Sequence, residues 1–343
     1  MLNKRTYLLF WILGLLVLSG FSQTSLKTVV AEKGDGIYSL LRKQGLSPAK
    51  HYGHFIALNK DILWDSIHLF QGREYVLPPV EVGSGDRKTT TLKKEPKVLK
   101  ESLFGKEHAL VTVKSNKLNG AVYYLVSGHG GPDPGAVASY KGKMIAEDEY
   151  AYDITLRLAK KLMSHGAETY IIVQDPNDGI RDYKILEIDR DEVVYPNQKI
   201  PLNQLQRLRQ RVDVVNQLYR KNKGKYQRLI VTHVDSRSKG QNIDVFFYHH
   251  EKSRNGKHLA ESIHETFLNK YRKYQPNRVY EGTFEDRSGL YLIKNTLPAM
   301  AYIEVGNIRN RKDQRRILEP NNRQAVANWI SEGIILDRTR KSR

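Results

Sequence analysis

The sequence has no cysteine in 343 residues. This absence excludes disulfides, thiolate metal sites, cysteine nucleophiles and lipid attachment through an N-terminal cysteine. Three enzyme signatures are missing as well: a His-Glu-x-x-His helix, a Gly-x-x-x-x-Gly-Lys phosphate loop and a Gly-x-Ser-x-Gly elbow. The chain is therefore not a zincin, and it carries neither the P-loop nor the serine-elbow signature.

Acidic residues are scarce relative to basic ones, with 37 Asp and Glu against 56 Lys and Arg and a formal net charge of +19. Such a charge favours a polyanionic partner, which could be nucleic acid, an anionic envelope polymer or membrane headgroups. The hydrophobic content of 40% allows a substantial core, and the length favours two or three domains. No internal repeat is present.

A long apolar run is also missing, since the run Tyr7 to Leu18 is shorter than the ~18 to 20 residues of a spanning helix. Lys4 and Arg5 precede the run, and small residues up to Ser22 follow it. This pattern predicts a signal peptide over residues 1–22, cleaved rather than retained as a membrane anchor. We therefore expect export to the periplasm or cell wall, no stable transmembrane anchor, and no nucleic-acid partner.

Residues 27–79 contain a short strand, a Gly-Asp turn, two helical patterns and a final strand. The motifs are Gly34-Asp35-Gly36-Ile37-Tyr38-Ser39-Leu40-Leu41, Ile56-Ala57-Leu58-Asn59 and Gln71-Gly72-Arg73-Glu74-Tyr75-Val76-Leu77-Pro78. The segment resembles a LysM domain, with Gly36 where Thr is usual and Tyr75 where Leu is usual. The resemblance implies binding to glycans that contain N-acetylglucosamine; another small α/β module with a Gly-Asp turn is the alternative. Residues 80–107, which are rich in Lys and Thr, predict a basic flexible linker.

From residue 108 to 338 the sequence predicts one catalytic domain in which strands alternate with amphipathic helices. This alternation is typical of an α/β fold with a mainly parallel or mixed sheet flanked by helices. The predicted strands are 121–126, 169–173, 228–232, 243–248 and 299–305. The predicted helices are 147–164, 201–221, 257–274 and 321–336.

A Gly- and Pro-rich stretch, Ser127 to Ala136, follows the first of these strands and contains His129. Ligands of open α/β sheets bind at the carboxyl ends of strands, because loops converge there without disturbing the packed sheet. The glycines allow close approach of the backbone, and Asp133 could fix the loop or the imidazole. The alternative is a tight turn with a solvated histidine.

Three further polar residues stand at strand ends or helix starts: Glu147 opens a helix, His233 ends a strand, and Glu304 lies in an apolar strand. Each has an ordinary structural alternative, such as a carboxylate favoured by a helix dipole. Together, two histidines and one glutamate are a ligand set of catalytic zinc that leaves a position open for water. The second glutamate would then take a proton from water and pass it to a leaving amine.

These residues resemble the zinc-dependent N-acetylmuramoyl-L-alanine amidases of the amidase type 3 family over roughly residues 120–336. The matching positions are Gly128 to Ala136, Glu147 with Ile154, Leu156, Leu158 and Ala159, Leu208, Arg211, Val215 and Asn216, Thr232 and His233, and Pro298, Ala299, Glu304 and Gly306. The resemblance implies one zinc ion per chain held by His129, Glu147 and His233, with Glu304 as the catalytic acid/base. Val126, Asp235 and Asn307 depart from the family pattern, and Val126 removes a family contact to the ligand histidine.

The connection from residue 174 to 206 is longer than the usual family connection and contains Glu187, Asp189, Asp191 and Glu192. Connections longer than about 12 to 15 residues are usually lids, binding loops or disordered segments. We considered a plain solvated loop, a cover over the substrate groove that a partner displaces, and a carboxylate that reaches the open zinc position.

The sequence thus predicts an exported peptidoglycan hydrolase that cleaves the amide between N-acetylmuramic acid and L-alanine. Its partner is peptidoglycan, and a protein activator is compatible with the sequence. Two alternatives are a zinc carboxypeptidase acting on stem peptides and a non-catalytic peptidoglycan-binding regulator.

Overall fold

The computed structural model describes residues 26–32, 34–63, 69–79, 97–235 and 242–341. The predicted signal peptide, 1–22, and residues 80–96 of the predicted linker lie outside these ranges. The described residues form two compact units, one within 1–87 and one within 88–343. No helix in the described ranges has the length and apolar character needed to cross a membrane.

The N-terminal unit has the predicted order of strand, helix, helix and strand. Its elements are β1 (Thr28–Val30), α1 (Ile37–Lys43), α2 (Pro48–Leu58) and β2 (Glu74–Val76). The two strands pair antiparallel. Asn59 joins the end of α2 to β2, because its side chain accepts a hydrogen bond from Val76 N at 2.8 Å and donates one to Val76 O at 2.8 Å. Asn59 is buried, so this motif position has a structural role.

The strands of the second unit are β3 (Val98–Lys100), β4 (Leu110–Thr112), β5 (Ala121–Ser127), β6 (Val137–Tyr140), β7 (Lys143–Ala146), β8 (Glu168–Ile171), β9 (Val173–Gln174), β10 (Val193–Val194), β11 (Gln198–Lys199), β12 (Tyr226–Asp235), β13 (Phe246–His249), β14 (Phe284–Asp286) and β15 (Met300–Asn307). Six of them form one sheet in the order β14-β13-β15-β12-β5-β8. All neighbouring strands in this sheet are parallel except the pair β13 and β15.

Helices cover the sheet on both faces, as the sequence predicts. They are α3 (Glu147–Met163), α4 (Gln204–Lys221), α5 (Arg254–Tyr274), α6 (Tyr291–Asn295), α7 (Arg311–Leu318) and α8 (Pro320–Lys341). Helices α3, α5 and α8 pack together, with α3 and α5 against the sheet. Helix α4 contributes Val212 and Val215 to a hydrophobic core cluster that also contains Val122 and Tyr124 of β5. Because β5, β12 and β15 are parallel, their carboxyl ends lie at one edge of the sheet.

The predicted linker is wrong in its last part, residues 98–107. Strand β3 pairs antiparallel with β4, and a 3₁₀ turn at Ser102–Phe104 lies between them. Phe104 is fully buried, and its carbonyl accepts a hydrogen bond from Ile180 N at 3.2 Å. The second unit therefore includes residues before 108, with the Phe104 side chain buried in it.

Element boundaries differ from the sequence prediction at several places. The predicted strand over 243–248 begins only at Phe246, because Asp244 has a left-handed backbone (φ 51°) that no strand accommodates. Helix α4 begins at Gln204 rather than at Pro201, because the Asn203 side chain accepts a hydrogen bond from Gln206 N and caps it. The hairpin of β6 and β7, the strand β14 and the helices α6 and α7 were not predicted.

Candidate metal centre

His129 lies in the glycine-rich loop directly after β5. Its backbone is left-handed, with φ 61°, and Gly130 and Gly131 also have positive φ. Gly130 N donates a hydrogen bond to Asp133 O at 2.8 Å, which closes the loop. A histidine at positive φ is uncommon and is retained where the surroundings fix it, as at functional sites.

The imidazole of His129 is oriented by Asp133, as the sequence suggests. The distance from His129 Nδ1 to Asp133 Oδ2 is 3.0 Å, and Arg207 donates to the same oxygen at 2.9 Å. The hydrogen bond from His129 and the charge of Arg207 hold the pKa of Asp133 well below its usual range. Asp133 therefore stays ionised and favours the tautomer of His129 that donates its Nδ1 proton to Asp133, so that Nε2, which lies 3.3 Å from Glu147 Oε2, is the atom that could bind a metal.

Glu147 is held at the start of α3 by backbone groups of the glycine-rich loop and of strand β12. Its Oε2 accepts a hydrogen bond from Ala136 N at 2.9 Å, and its Oε1 accepts one from Val234 N at 2.9 Å. Burial raises the pKa of Glu147, but the hydrogen bond and charge of His233 outweigh it, so the pKa lies below its ordinary value. The carboxylate is thus ionised, and protein groups alone fix its position.

His233 lies near the end of β12 and is packed between two aromatic rings. Its ring stacks on Tyr302 at a centroid distance of 4.7 Å and meets the edge of His129 at 5.0 Å. Its Nδ1 is 2.8 Å from Glu147 Oε1. Gly128 makes room for this ring, since a Cβ on that residue would lie 2.3 Å from the imidazole.

One donor atom from each of His129, Glu147 and His233 lies within 4.8 Å of the other two. Two imidazoles and a carboxylate suit zinc, which takes nitrogen and oxygen donors. The three residues therefore fit a zinc ion. The two histidines and Asp133 border a pocket that is also lined by Arg207 and Arg211, so a metal held there would face open space.

Glu304 lies on β15, next to β12, and is the register partner of His233. Paired residues on neighbouring strands project from the same face of a sheet, so Glu304 stands beside the histidine rather than behind it. Its side chain is buried, with 4% of its surface exposed. Among the described residues it is not part of the group of three donors, which agrees with a separate role.

Residues 124–336, which contain all four candidate residues, match the family of N-acetylmuramoyl-L-alanine amidases. The chain belongs to this amidase family. It is a hydrolase that cleaves peptidoglycan at the amide bond between N-acetylmuramic acid and L-alanine, as the sequence predicts.

Relatives of the amidase include the germination-specific N-acetylmuramoyl-L-alanine amidase of Bacillus subtilis. The two are 26% identical over 222 residues, which cover 64% of this chain and 80% of the relative. Among solved structures, the CwlD amidase of Clostridioides difficile in complex with the GerS lipoprotein is 19% identical, with a TM-score of 0.49 over 64% of this chain and 98% of that one. The AmiC2 amidase of Nostoc punctiforme is 19% identical, with a TM-score of 0.45 over 67% of this chain and 99% of that one.

Arg207 and Tyr302 belong to the amidase site but are not singled out by the sequence motifs, and Arg211 is singled out only as a family motif position without a stated role. Arg211 is buried, and its guanidinium donates to His129 O at 2.5 Å. Burial lowers the pKa of Arg211 to about 10, so the group remains charged at neutral pH. The two arginines are four residues apart near the start of α4, and this spacing, which places Arg207 on the same helix face as Arg211, is the signal that could have revealed Arg207.

A second group of carboxylates lies next to the glycine-rich loop that carries His129. Its members are Asp148, Glu149 and Glu192. Glu192 Oε2 accepts a hydrogen bond from Gly131 N at 2.6 Å. Burial raises the pKa of Glu192 to about 7, and burial with the charges of Glu149 and Glu192 raises the pKa of Asp148 to about 9. Glu192 therefore supports the loop backbone and does not join the donors around His129.

The connection 174–206 is built into the amidase domain. Ile200 packs on Gly131, where an added Cβ would lie 3.1 Å from the Ile200 side chain. The buried Arg323 donates to Arg181 O at 2.7 Å and to Tyr183 O at 2.9 Å. None of the four carboxylates singled out in this connection belongs to the His129 group among the described residues. These contacts join the connection to the glycine-rich loop through Ile200 and to helix α8 through Arg323.

Gly135→Ala is expected to lower the zinc affinity of the amidase. Gly135 has φ 70°, and a Cβ there would lie 2.6 Å from His129 Cδ2 and 2.8 Å from Glu147 Oε2, so two donors must shift. The measurement is a zinc titration of the purified variant. We expect at least the ~10- to 100-fold loss that follows when the support of a metal ligand is removed.

Gly142→Ala is the matched control. Gly142 has a similar φ of 78°, but an added Cβ meets nothing within 4 Å. Both variants place alanine at a positive φ and therefore share the same backbone strain. Only Gly135→Ala also displaces the side chains of His129 and Glu147. Equal zinc affinity in the two variants would show that contact at Gly135 does not hold the site.

Proposed function

We propose that the amidase is zinc-dependent, with His129, Glu147 and His233 holding one zinc ion and Glu304 acting as the general acid/base. The observation that carries this proposal is the convergence of three donor atoms within 4.8 Å beside the register partner of His233. When bound, zinc supplies a Lewis acid that polarises the amide carbonyl and lowers the pKa of water. The donors are already ordered by Asp133 and by backbone N–H groups.

Glu304 supplies the proton transfer in this proposal. Its carboxylate accepts a proton from the attacking water and delivers it to the nitrogen of L-alanine as the amide bond breaks. The products are the carboxylic acid of the muramic acid lactyl group and a stem peptide with a free L-alanine amine. Arg211 and Asp133 position His129 throughout and take no part in bond breaking.

The N-terminal unit serves, in our proposal, as a LysM-like module that binds glycans containing N-acetylglucosamine. The support is its order of elements, the Gly-Asp turn in which Glu32 N donates to Asp35 Oδ2 at 2.9 Å, and the structural role of Asn59. Deleting 27–79 should reduce co-sedimentation of the protein with purified peptidoglycan. Equal sedimentation of the full protein and of the deletion variant would show that this unit does not contribute to glycan binding.

Export through residues 1–22 to the periplasm or cell wall completes the proposal. The net charge of +19 suits adsorption to an acidic envelope and agrees with peptidoglycan as the partner. Cell fractionation tests this location: the processed protein should be found outside the cytoplasmic membrane, and an unprocessed cytoplasmic form would contradict it.

The decisive experiment is digestion of purified peptidoglycan with and without a zinc chelator, followed by mass analysis. We expect intact stems with a free L-alanine amine, loss of the products with chelator, and recovery on addition of zinc. Stems shortened at their carboxyl end would indicate the carboxypeptidase, and a metal-free, inactive protein would indicate the regulator. The same digestion without added proteins shows whether an activator is required.

A further inference from the structure

The connection between β9 and α4 carries a third group of carboxylates, separate from the His129 centre. One carboxylate oxygen from each of Asp175, Asp178 and Asp189 lies within 4.8 Å of the other two. Asp175 follows β9 directly, and Asp189 lies at the far end of the same loop. The group therefore brings the two ends of residues 175–189 together.

Asp175 is buried, with 1% of its surface exposed, and only one of its oxygens is engaged. Its Oδ1 accepts hydrogen bonds from Asn177 N at 3.0 Å and from Asp178 N at 2.8 Å. Its Oδ2 is buried and has no hydrogen-bond partner among the described residues, and the same holds for Asp189 Oδ1. Buried carboxylate oxygens are normally paired or bound to a metal, because their desolvation is costly.

The basic groups nearby do not balance the three carboxylates. Arg181 is in contact with Asp178, but its NH1 also donates to Glu149 Oε2 at 2.9 Å. Burial, together with the charges of Asp189 and Asp178, raises the pKa of Asp175 to about 7. The group thus concentrates negative charge in a region from which water is partly excluded. A bound cation would lower the repulsion between these carboxylates.

We propose that Asp175, Asp178 and Asp189 bind a calcium ion. All donors here are hard oxygens, which suits calcium and not zinc, whose sites favour nitrogen and sulfur. Calcium accepts six to eight ligands in irregular geometry, including water, whereas magnesium demands a near-ideal octahedron. Three carboxylates from one irregular loop match the calcium requirement.

The bound ion would stabilise the segment that supports the catalytic loop. Asp189 N donates to Glu149 Oε1 at 3.1 Å, so the calcium group is joined to the first turn of α3, where Glu147 lies. Tyr152 of the same helix contacts Asp175, since its hydroxyl accepts a hydrogen bond from Asp175 N at 3.0 Å. This proposal rests on contacts of the connection alone and does not depend on zinc in the His129 centre.

The test is thermal unfolding of the full chain, saturated with zinc and freed of calcium, during titration with calcium chloride. We expect the midpoint of unfolding to rise by several degrees in a saturable way, with half of the effect at about 10⁻⁴ to 10⁻³ M, as for extracellular calcium modules. Magnesium chloride at the same concentrations should give a smaller rise. A midpoint that calcium leaves unchanged, with no heat of binding by calorimetry, would overturn the proposal.

Asp175→Asn and Asp189→Asn distinguish binding from a structural role. Each amide keeps the shape of the side chain but removes one negative charge, so the calcium-free variants should unfold at the same or a higher temperature than the natural protein and should lose the calcium response. Glu187→Gln, an exposed position in the same connection, is the control and should keep the response. A calcium response that both Asn variants retain would also overturn the proposal.

His129→Ala separates this site from the catalytic one. We expect that variant to show the full rise in unfolding midpoint with calcium, whatever its zinc content. Loss of the calcium response in His129→Ala, but not in Asp175→Asn, would place the cation at the His129 centre and contradict the proposal.

Discussion

Replacing either His129 or His233 with alanine is expected to abolish both bound zinc and peptidoglycan hydrolysis. Each histidine supplies one of three donor atoms that lie within 4.8 Å of one another, and Glu147 is fixed between them by Ala136 N and Val234 N. A catalytic zinc with only two protein ligands is not retained, because such sites use three. Zinc per chain, measured by elemental analysis, and release of stem peptides are the two readouts.

His258→Ala is the matched control for both variants. His258 lies on α5 with half of its side chain exposed, and its neighbour is Glu261 rather than a residue of the site. It should keep full zinc content and activity. Undiminished zinc stoichiometry in both His129→Ala and His233→Ala would remove these residues from the metal site, even if activity fell.

Replacing Glu304 should have a different outcome: the metal stays and turnover is lost. Glu304 lies beside His233 in the sheet but outside the group of three donors among the described residues. Glu304→Gln keeps the size of the side chain, and Glu304→Ala removes it. Neither can move a proton. We expect hydrolysis to fall by about 10²- to 10⁴-fold or more, as for the loss of a general acid/base.

Glu285→Gln provides the comparison, since Glu285 is exposed on the edge strand β14 of the same sheet. Zinc content should be equal in Glu304→Gln, Glu285→Gln and the natural protein, and hydrolysis should fall only in the first. Near-normal hydrolysis by both Glu304 variants would exclude Glu304 from the mechanism. Loss of zinc from Glu304→Gln would instead indicate that Glu304 is a ligand.

Long segments with a regular pattern of apolar residues could be predicted from sequence. In them, the secondary structure that the local sequence favours is also the one that the packed core requires. The apolar run of β5 is buried at all seven positions, and α3 begins at the predicted Glu147. The placement of His129, His233 and Glu304 at one sheet edge follows from the parallel order of β5, β12 and β15, which alternation of strands and helices implies.

Segments with irregular backbone could not be predicted in this way. Asp244 is fully buried and is in contact with Arg316 and Arg278, so contacts distant in sequence impose a left-handed conformation inside a predicted strand. Phe104, near the end of the predicted linker, is fully buried, and its carbonyl accepts a hydrogen bond from Ile180 N. In both places one buried side chain and its distant partners decide the backbone, and composition gives no signal of such a contact.

The sequence by itself determined the fold class, the amidase family and the four candidate residues, because each depends on short motifs at the ends of periodic elements. Only the tertiary structure decided what surrounds those residues. Arg207 reaches Asp133 at 2.9 Å across 74 positions of sequence, and the Tyr302 ring stacks on His233 at 4.7 Å. The tertiary structure also places the Glu192 carboxylate at Gly131 N of the glycine-rich loop and brings the carboxylates of Asp175 and Asp189 together. These contacts join residues that are far apart in the chain, and their distances depend on how the whole sheet and its helices pack.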